Sequence, residues 1–186
     1  SGSTVPAPTP GASFAALALR PLLRLNLGSG PFSVKQFKGY RMSKDGSVPQ
    51  LLCGIISQLA ESPVWDERRQ TLFWCDILGG IIHSFHPGSG GTGQHNFSST
   101  VGCLGLCESG QLIVACGMDI LLFDLQTGGQ RRLASIPNPD GLPMRLNDGR
   151  VGPDGAFWVG SMHNVPLAEM GAFGALWRVT QSGADL

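Results

Sequence analysis

A strand–turn–strand unit recurs three times after residue 51, and the spacing is regular. Leu72–Asp76 (LFWCD) leads through Gly79-Gly80 to Ile81–Phe85 (IIHSF), which Pro87-Gly88 closes. Gln111–Cys116 (QLIVAC) passes through Gly117 to Ile120–Asp124 (ILLFD), and Ala156–Gly160 (AFWVG) is followed by Gly174–Arg178 (GALWR). Leu72 to Leu112 spans 40 residues and Leu112 to Phe157 spans 45. Polar turns introduce the units: Asp66-Glu67-Arg68, Glu108-Ser109-Gly110 and Asp154-Gly155. Short runs of apolar, β-branched and aromatic residues bounded by Gly and Pro are strand signals. Short strands repeating at this period predict the four-stranded blades of a β-propeller. A β-sandwich would supply similar strands but no reason for the repeat. Only about three units fit, and a propeller must close on itself to protect its sheet edges. The expectation is therefore an all-β chain carrying part of a propeller over residues 51–186.

Composition narrows the alternatives. The chain has 27 Gly and 13 Pro in 186 residues and 14% charged residues, too turn-rich and too poorly charged for a coiled coil or helical bundle. Its 13 basic and 13 acidic side chains balance, so no basic footprint suggests nucleic acid as a partner. No uncharged apolar run reaches the ~18 residues of a membrane span, so no membrane association is expected.

The charge balance hides an asymmetry. Residues 1–50 hold six basic side chains and one acid, whereas residues 51–186 hold seven arginines, no lysine and twelve acids. The first segment opens as SGSTVPAPTPGAS, which cannot build a core. It reads as a disordered or leader segment, with a linker as the plain reading and organelle import as the alternative. The rest is expected in the cytoplasm. Five cysteines, Cys53, Cys75, Cys103, Cys107 and Cys116, are odd in number and lack paired CxxC spacing. They read as small buried hydrophobes in a reducing compartment.

Two polar segments break the strand pattern, Glu61–Trp65 (ESPVW) before the first unit and Arg145–Gly149 (RLNDG) before the third. Each precedes the outer hairpin of its unit, where a propeller has its innermost strand. Glu61 and Asn147, 86 residues apart, are thereby expected to face one axis. A carboxylate and an amide oxygen suit hard divalent cations, and a nearby Arg suits the oxygens of a polar substrate. The plain alternatives are a cap at Glu61 and an ordinary turn at Asn147-Asp148-Gly149.

ESPVWDERRQTLFWCDI followed by RLNDGRVGPDGAFWVGSM resembles the regucalcin/gluconolactonase (senescence marker protein type) family, from about Leu51 to Trp177 and over about the first half of the family's domain. The resemblance implies a six-bladed propeller with about three blades present. It also implies a lactonase whose metal-activated water opens a sugar lactone, with one divalent metal: Ca²⁺ or Zn²⁺, with Mg²⁺ and Mn²⁺ as further candidates. By the same resemblance Glu61 and Asn147 are metal positions, Arg145 and Asn147 are substrate positions, and Asp148 supports the motif's turn. The partner expected is a small-molecule lactone. The general base and remaining ligands are expected beyond Leu186, so no catalytic residue is assigned within this chain. Val165 stands where animal members carry a substrate-contacting glutamate, and His163 lies close by. The alternatives are a non-catalytic calcium-binding or regulatory propeller and an inactive truncation.

Overall fold

A computed structural model describes residues 51–138, 140–181 and 183–185. The expected leader, residues 1–50, lies outside the described residues. The described part is all-β, as the repeat predicts. Its three sheets each have four antiparallel strands in consecutive order. The first holds β1 (Ala60–Asp66), β2 (Thr71–Asp76), β3 (Ile81–His86) and β4 (Gly91–Asn96). The second holds β5 (Val101–Leu106), β6 (Leu112–Cys116), β7 (Asp119–Phe123) and β8 (Gln130–Ser135). The third holds β9 (Met144–Val151), β10 (Phe157–His163), β11 (Leu176–Thr180) and β12 (Gly183–Asp185).

The strand runs read from the sequence are the two middle strands of each sheet. In the second sheet their apolar character follows from burial on both faces. In β6, Leu112 and Val114 pack toward the first sheet with Phe73, Cys75, Ile82 and Leu104. Ile113 and Ala115 pack toward the third sheet with Leu146, Phe157, Val159 and Val179. A middle sheet covered twice has no polar face, so its strands read as continuous hydrophobic runs. The outer strands β4 (GTGQHN) and β8 (QRRLAS) have alternating or mostly exposed residues and no apolar run to announce them.

The first strands of successive sheets lie side by side, β1 against β5 and β5 against β9. Glycine makes the second contact possible: a Cβ on Gly102 would lie 2.4 Å from the Leu146 carbonyl oxygen. Gly80 (φ +64°) closes the β2–β3 hairpin in the left-handed conformation that only glycine adopts easily. The polar turn after β1 staples two sheets together. Arg68 donates to the Cys107 and Glu108 carbonyls, and Arg69 to the Gly110 carbonyl and the buried Asp66 carboxylate. Burial pulls the Asp66 pKa up, but the Arg69 guanidinium and the Arg68 and Arg69 backbone N–H groups outweigh it and hold the carboxyl below its usual range.

All five cysteines are free thiols, and Cys75, Cys103 and Cys116 are buried in the inter-sheet cores. The four tryptophans divide. Trp177 packs against the second core, whereas Trp65 and Trp158 are 44% and 37% exposed. Trp158 lies on the sheet's open face, where the Arg178 guanidinium sits over its ring.

Candidate functional site

The innermost strands share a defect. On β1, Glu61 pairs with Cys75 and Val64 with Phe73, so Ser62 and Pro63 together oppose one residue of β2. On β9, Leu146 pairs with Ser161 and Gly149 with Val159, so Asn147 and Asp148 together oppose Gly160. On β5, Gly102 is the extra residue between Val101 and Cys103. A bulge turns a side chain out of the pleat and bends its strand. Each polar segment singled out in the sequence thus sits on or beside a bulge. The expected turn at Asp148 is corrected: Asn147, Asp148 and Gly149 belong to β9.

The bulges bring three of the expected residues into one electrostatic neighbourhood. Arg145, only 7% exposed, donates from Nη1 to the Asn147 side-chain oxygen at 2.7 Å and to the Leu146 carbonyl at 3.1 Å. Burial lowers the Arg145 pKa, and the Glu61 carboxylate opposes that effect. Glu61 also acts on Cys75, its neighbour across the β1–β2 ladder, whose thiol burial and the carboxylate push up to about 12. No proton leaves that thiol at neutral pH, so Cys75 is packing and not a nucleophile. A second link crosses between the bulges: the Ser62 hydroxyl donates to Asp148 Oδ1 at 3.3 Å. Sequence reading missed Ser62. Pro63 inside a strand was the available signal, because Pro is confined to edges and bulges.

His163 does not join this group by any hydrogen bond. It closes β10 opposite Met144, accepts the Gly171 backbone N–H on Nδ1 at 3.1 Å, and meets Phe173 edge-on. It holds the loop after β10, which includes one 3-10 turn (Leu167–Glu169). Val165 lies in the same loop. Two recesses flank the bulges. One, of about 270 Å³, runs along the later halves of the innermost strands past Ser62, Leu104, Asp148 and Arg150. The other, of about 140 Å³, lies at the start of β9 between Met144, Ser161, Phe173 and Trp177.

The donor chemistry suits a hard cation in part. The Glu61 carboxylate and the Asn147 amide offer hard oxygen donors, and the latter is already oriented by Arg145. Among the described residues there is no cluster of three or more His, Cys, Asp or Glu side chains that would hold a metal unaided. No helix among the described residues is long and apolar enough to cross a membrane.

Comparison with known proteins gives these positions a context. The chain is 43% identical over 107 residues to a 6-deoxy-6-sulfogluconolactonase of Pseudomonas putida, covering 57% of this chain and 36% of that protein. It is 30% identical over 105 residues to regucalcin of Xenopus laevis, covering 56% and 35%. Its fold matches the crystal structure of a calcium-binding protein, regucalcin, from Agrobacterium tumefaciens, with a TM-score of 0.64 and 29% identity over 72% of this chain and 44% of that one. The chain therefore spans less than half the length of these relatives. Its three sheets are propeller blades of the regucalcin type. Residues 59–185, which include every strand described above, match the family described as SMP-30/Gluconolactonase/LRE-like region, and the chain belongs to that family.

Proposed function

We propose that the protein to which these sheets belong hydrolyses a sugar lactone, with Glu61 and Asn147 holding a divalent cation and Arg145 binding the substrate. In this reading the three sheets are part of a six-bladed ring. The observation that carries it is the pair of bulges. They set a carboxylate on β1 within electrostatic reach of a buried guanidinium on β9, which in turn fixes an amide. Relatives bearing lactonase names support the reaction class.

Arg145 is held from behind by the Leu146 carbonyl and the Asn147 amide, so its remaining donors are oriented before substrate arrives. Such preorganised donors suit the ring and hydroxyl oxygens of a sugar lactone. A cation bound at Glu61 and Asn147 would supply Lewis acidity for the lactone carbonyl and lower the pKa of a water. Glu61 would contribute the negative charge that retains such an ion. Water adds to the carbonyl, the ring C–O ester bond breaks, and a hydroxy acid results. None of the described residues is assigned as general base. Ca²⁺ and Zn²⁺ are the first candidates for the ion.

Glu61→Gln in the full chain tests this. Hydrolysis of a sugar δ-lactone should fall on the order of 10²-fold, comparable to loss of one preorganised charge-stabilising group. Turnover that persists in excess chelator would overturn the metal role. The regucalcin-named relatives favour a second reading, a calcium-binding propeller without turnover. Calcium binding that Glu61→Gln abolishes, in a protein that leaves every sugar lactone intact, would select it.

A further inference from the structure

We infer that Ser62 is a positioning residue, whose left-handed backbone and hydroxyl set the Glu61 carboxylate against the Arg145–Asn147 pair. The inference rests on the reading of Glu61 and Asn147 given above. Ser62 has φ +51°, and the other non-glycine residue with positive φ, among the described residues, is Gln70 at +50°. Gln70 sits in the turn between β1 and β2, where such a conformation is ordinary. Ser62 sits inside a strand, in the bulge that follows Glu61. A non-glycine residue in this region is strained, and such strain persists only where the surroundings over-determine it.

The surroundings here are specific. Ser62 donates its hydroxyl hydrogen to Asp148, and Asp148 forms the opposite bulge together with Asn147. The bond therefore joins the two irregular segments, one residue away from Glu61 on one strand and one residue away from Asn147 on the other. An ordinary extended residue at position 62 would restore the pleat and carry Glu61 with it, because side chains alternate faces along a strand. Close approach of β5 to β9 at Gly102, against the Leu146 and Asn147 carbonyls, holds the second bulge in place from the other side.

A substitution series separates the backbone from the hydroxyl. Asn tolerates the left-handed region and can still donate to Asp148; Gly tolerates it without donating; Thr keeps the hydroxyl but is β-branched and resists it. Calcium affinity of the full chain is measured calorimetrically for wild type, Ser62→Asn, Ser62→Gly, Ser62→Thr and Glu61→Gln, each at a temperature where circular dichroism shows it folded. Asn is expected within about threefold of wild type, Gly, which loses the bond to Asp148, about fivefold weaker, and Thr about tenfold weaker, which is about 1.4 kcal/mol and within the range for one strained backbone residue. A purely structural role would lower the melting temperature of Ser62→Thr yet leave the calcium affinity of its folded form unchanged, and that outcome overturns the inference. Affinity lost in Glu61→Gln but level across the Ser62 series likewise overturns this inference alone. A wild-type protein that binds no calcium overturns the reading of Glu61 and Asn147, and this inference with it.

Discussion

β5 and β9 hold equivalent places in neighbouring sheets, and each carries a bulge. β5 reads VGCLGL, with Val101, Cys103 and Leu104 buried, and its bulge residue is glycine. β9 reads MRLNDGRV, buried only at Arg145 and Leu146, and its bulge displays an amide and a carboxylate. The same backbone irregularity therefore serves packing in one strand and presents polar groups in the other. What differs is the side chain at the irregular position. Where the neighbouring backbone comes within van der Waals contact, only glycine fits. Where the strand faces open space, the bulge is free to carry oxygen donors.

The comparison breaks most readily at Gly102. A Cβ there would meet backbone oxygens of Leu146 and Asn147 at 2.4 and 2.7 Å, and backbone yields less easily than a side-chain tip. Gly102→Ala should destabilise the fold by about 3 kcal/mol or more, read by chemical denaturation. A neutral result would mean that the two strands are not in contact at the bulge.

Asn147→Ala probes the other strand and should divide its effects differently. It removes the acceptor of a buried guanidinium, which costs about 1–3 kcal/mol of stability. Lactone hydrolysis by the folded variant should fall as well, about 10–100-fold, as for loss of a group that orients a binding residue. If stability fell while the folded variant kept wild-type activity, β9 would be a packing strand like β5.

His83 extends the contrast to a buried polar group with no apparent role at the bulges. It is 4% exposed, stacks on Trp74, and neither ring nitrogen has a hydrogen-bond partner among the described residues. Burial lowers its pKa, and the Asp76 carboxylate opposes the shift only in part. A folded pKa below the ordinary 6.5 means that its contribution is complete above that pH and is lost as pH falls through it. The melting temperature should drop between about pH 7 and pH 5 in wild type, and less steeply in His83→Phe. Equal slopes would show that the imidazole finds a partner when protonated.

The smallest effect belongs to the rim. Arg178 and Asp154 pair at 2.8 Å with both side chains about two-fifths exposed. Asp154→Asn should cost about 0.2–1 kcal/mol by denaturant titration, less in high salt.

Much of the architecture was legible because the middle strands of the second sheet are buried on both sides, those of its neighbours bury the side that faces it, and the hairpins need glycine at fixed places. Leu112–Cys116 and Gly80 announce themselves by composition alone. β4 and β8 were not legible, because an outermost strand with a wetted face has no apolar period to read. The polar motifs were legible as exceptions to the strand pattern, and Glu61, Arg145 and Asn147 stood out on those grounds. Their environment was not: Asn147-Asp148-Gly149 has the composition of a turn, yet pairing with β10 makes it strand. Trp65 and Trp158 carry the composition of core residues, but the outward face of the pleat exposes them.

The residue order alone therefore determined the three-unit β architecture, the hairpin positions and the polar residues that depart from them, since alternation, burial and turn chemistry act over a few neighbouring positions. Only the tertiary structure decided that the departures are bulges, that Ser62 reaches Asp148 across 86 residues, and that Gly102 is the space in which β9 rests. Those facts depend on strands distant in sequence lying side by side, and local chemistry carries no information about distance through space.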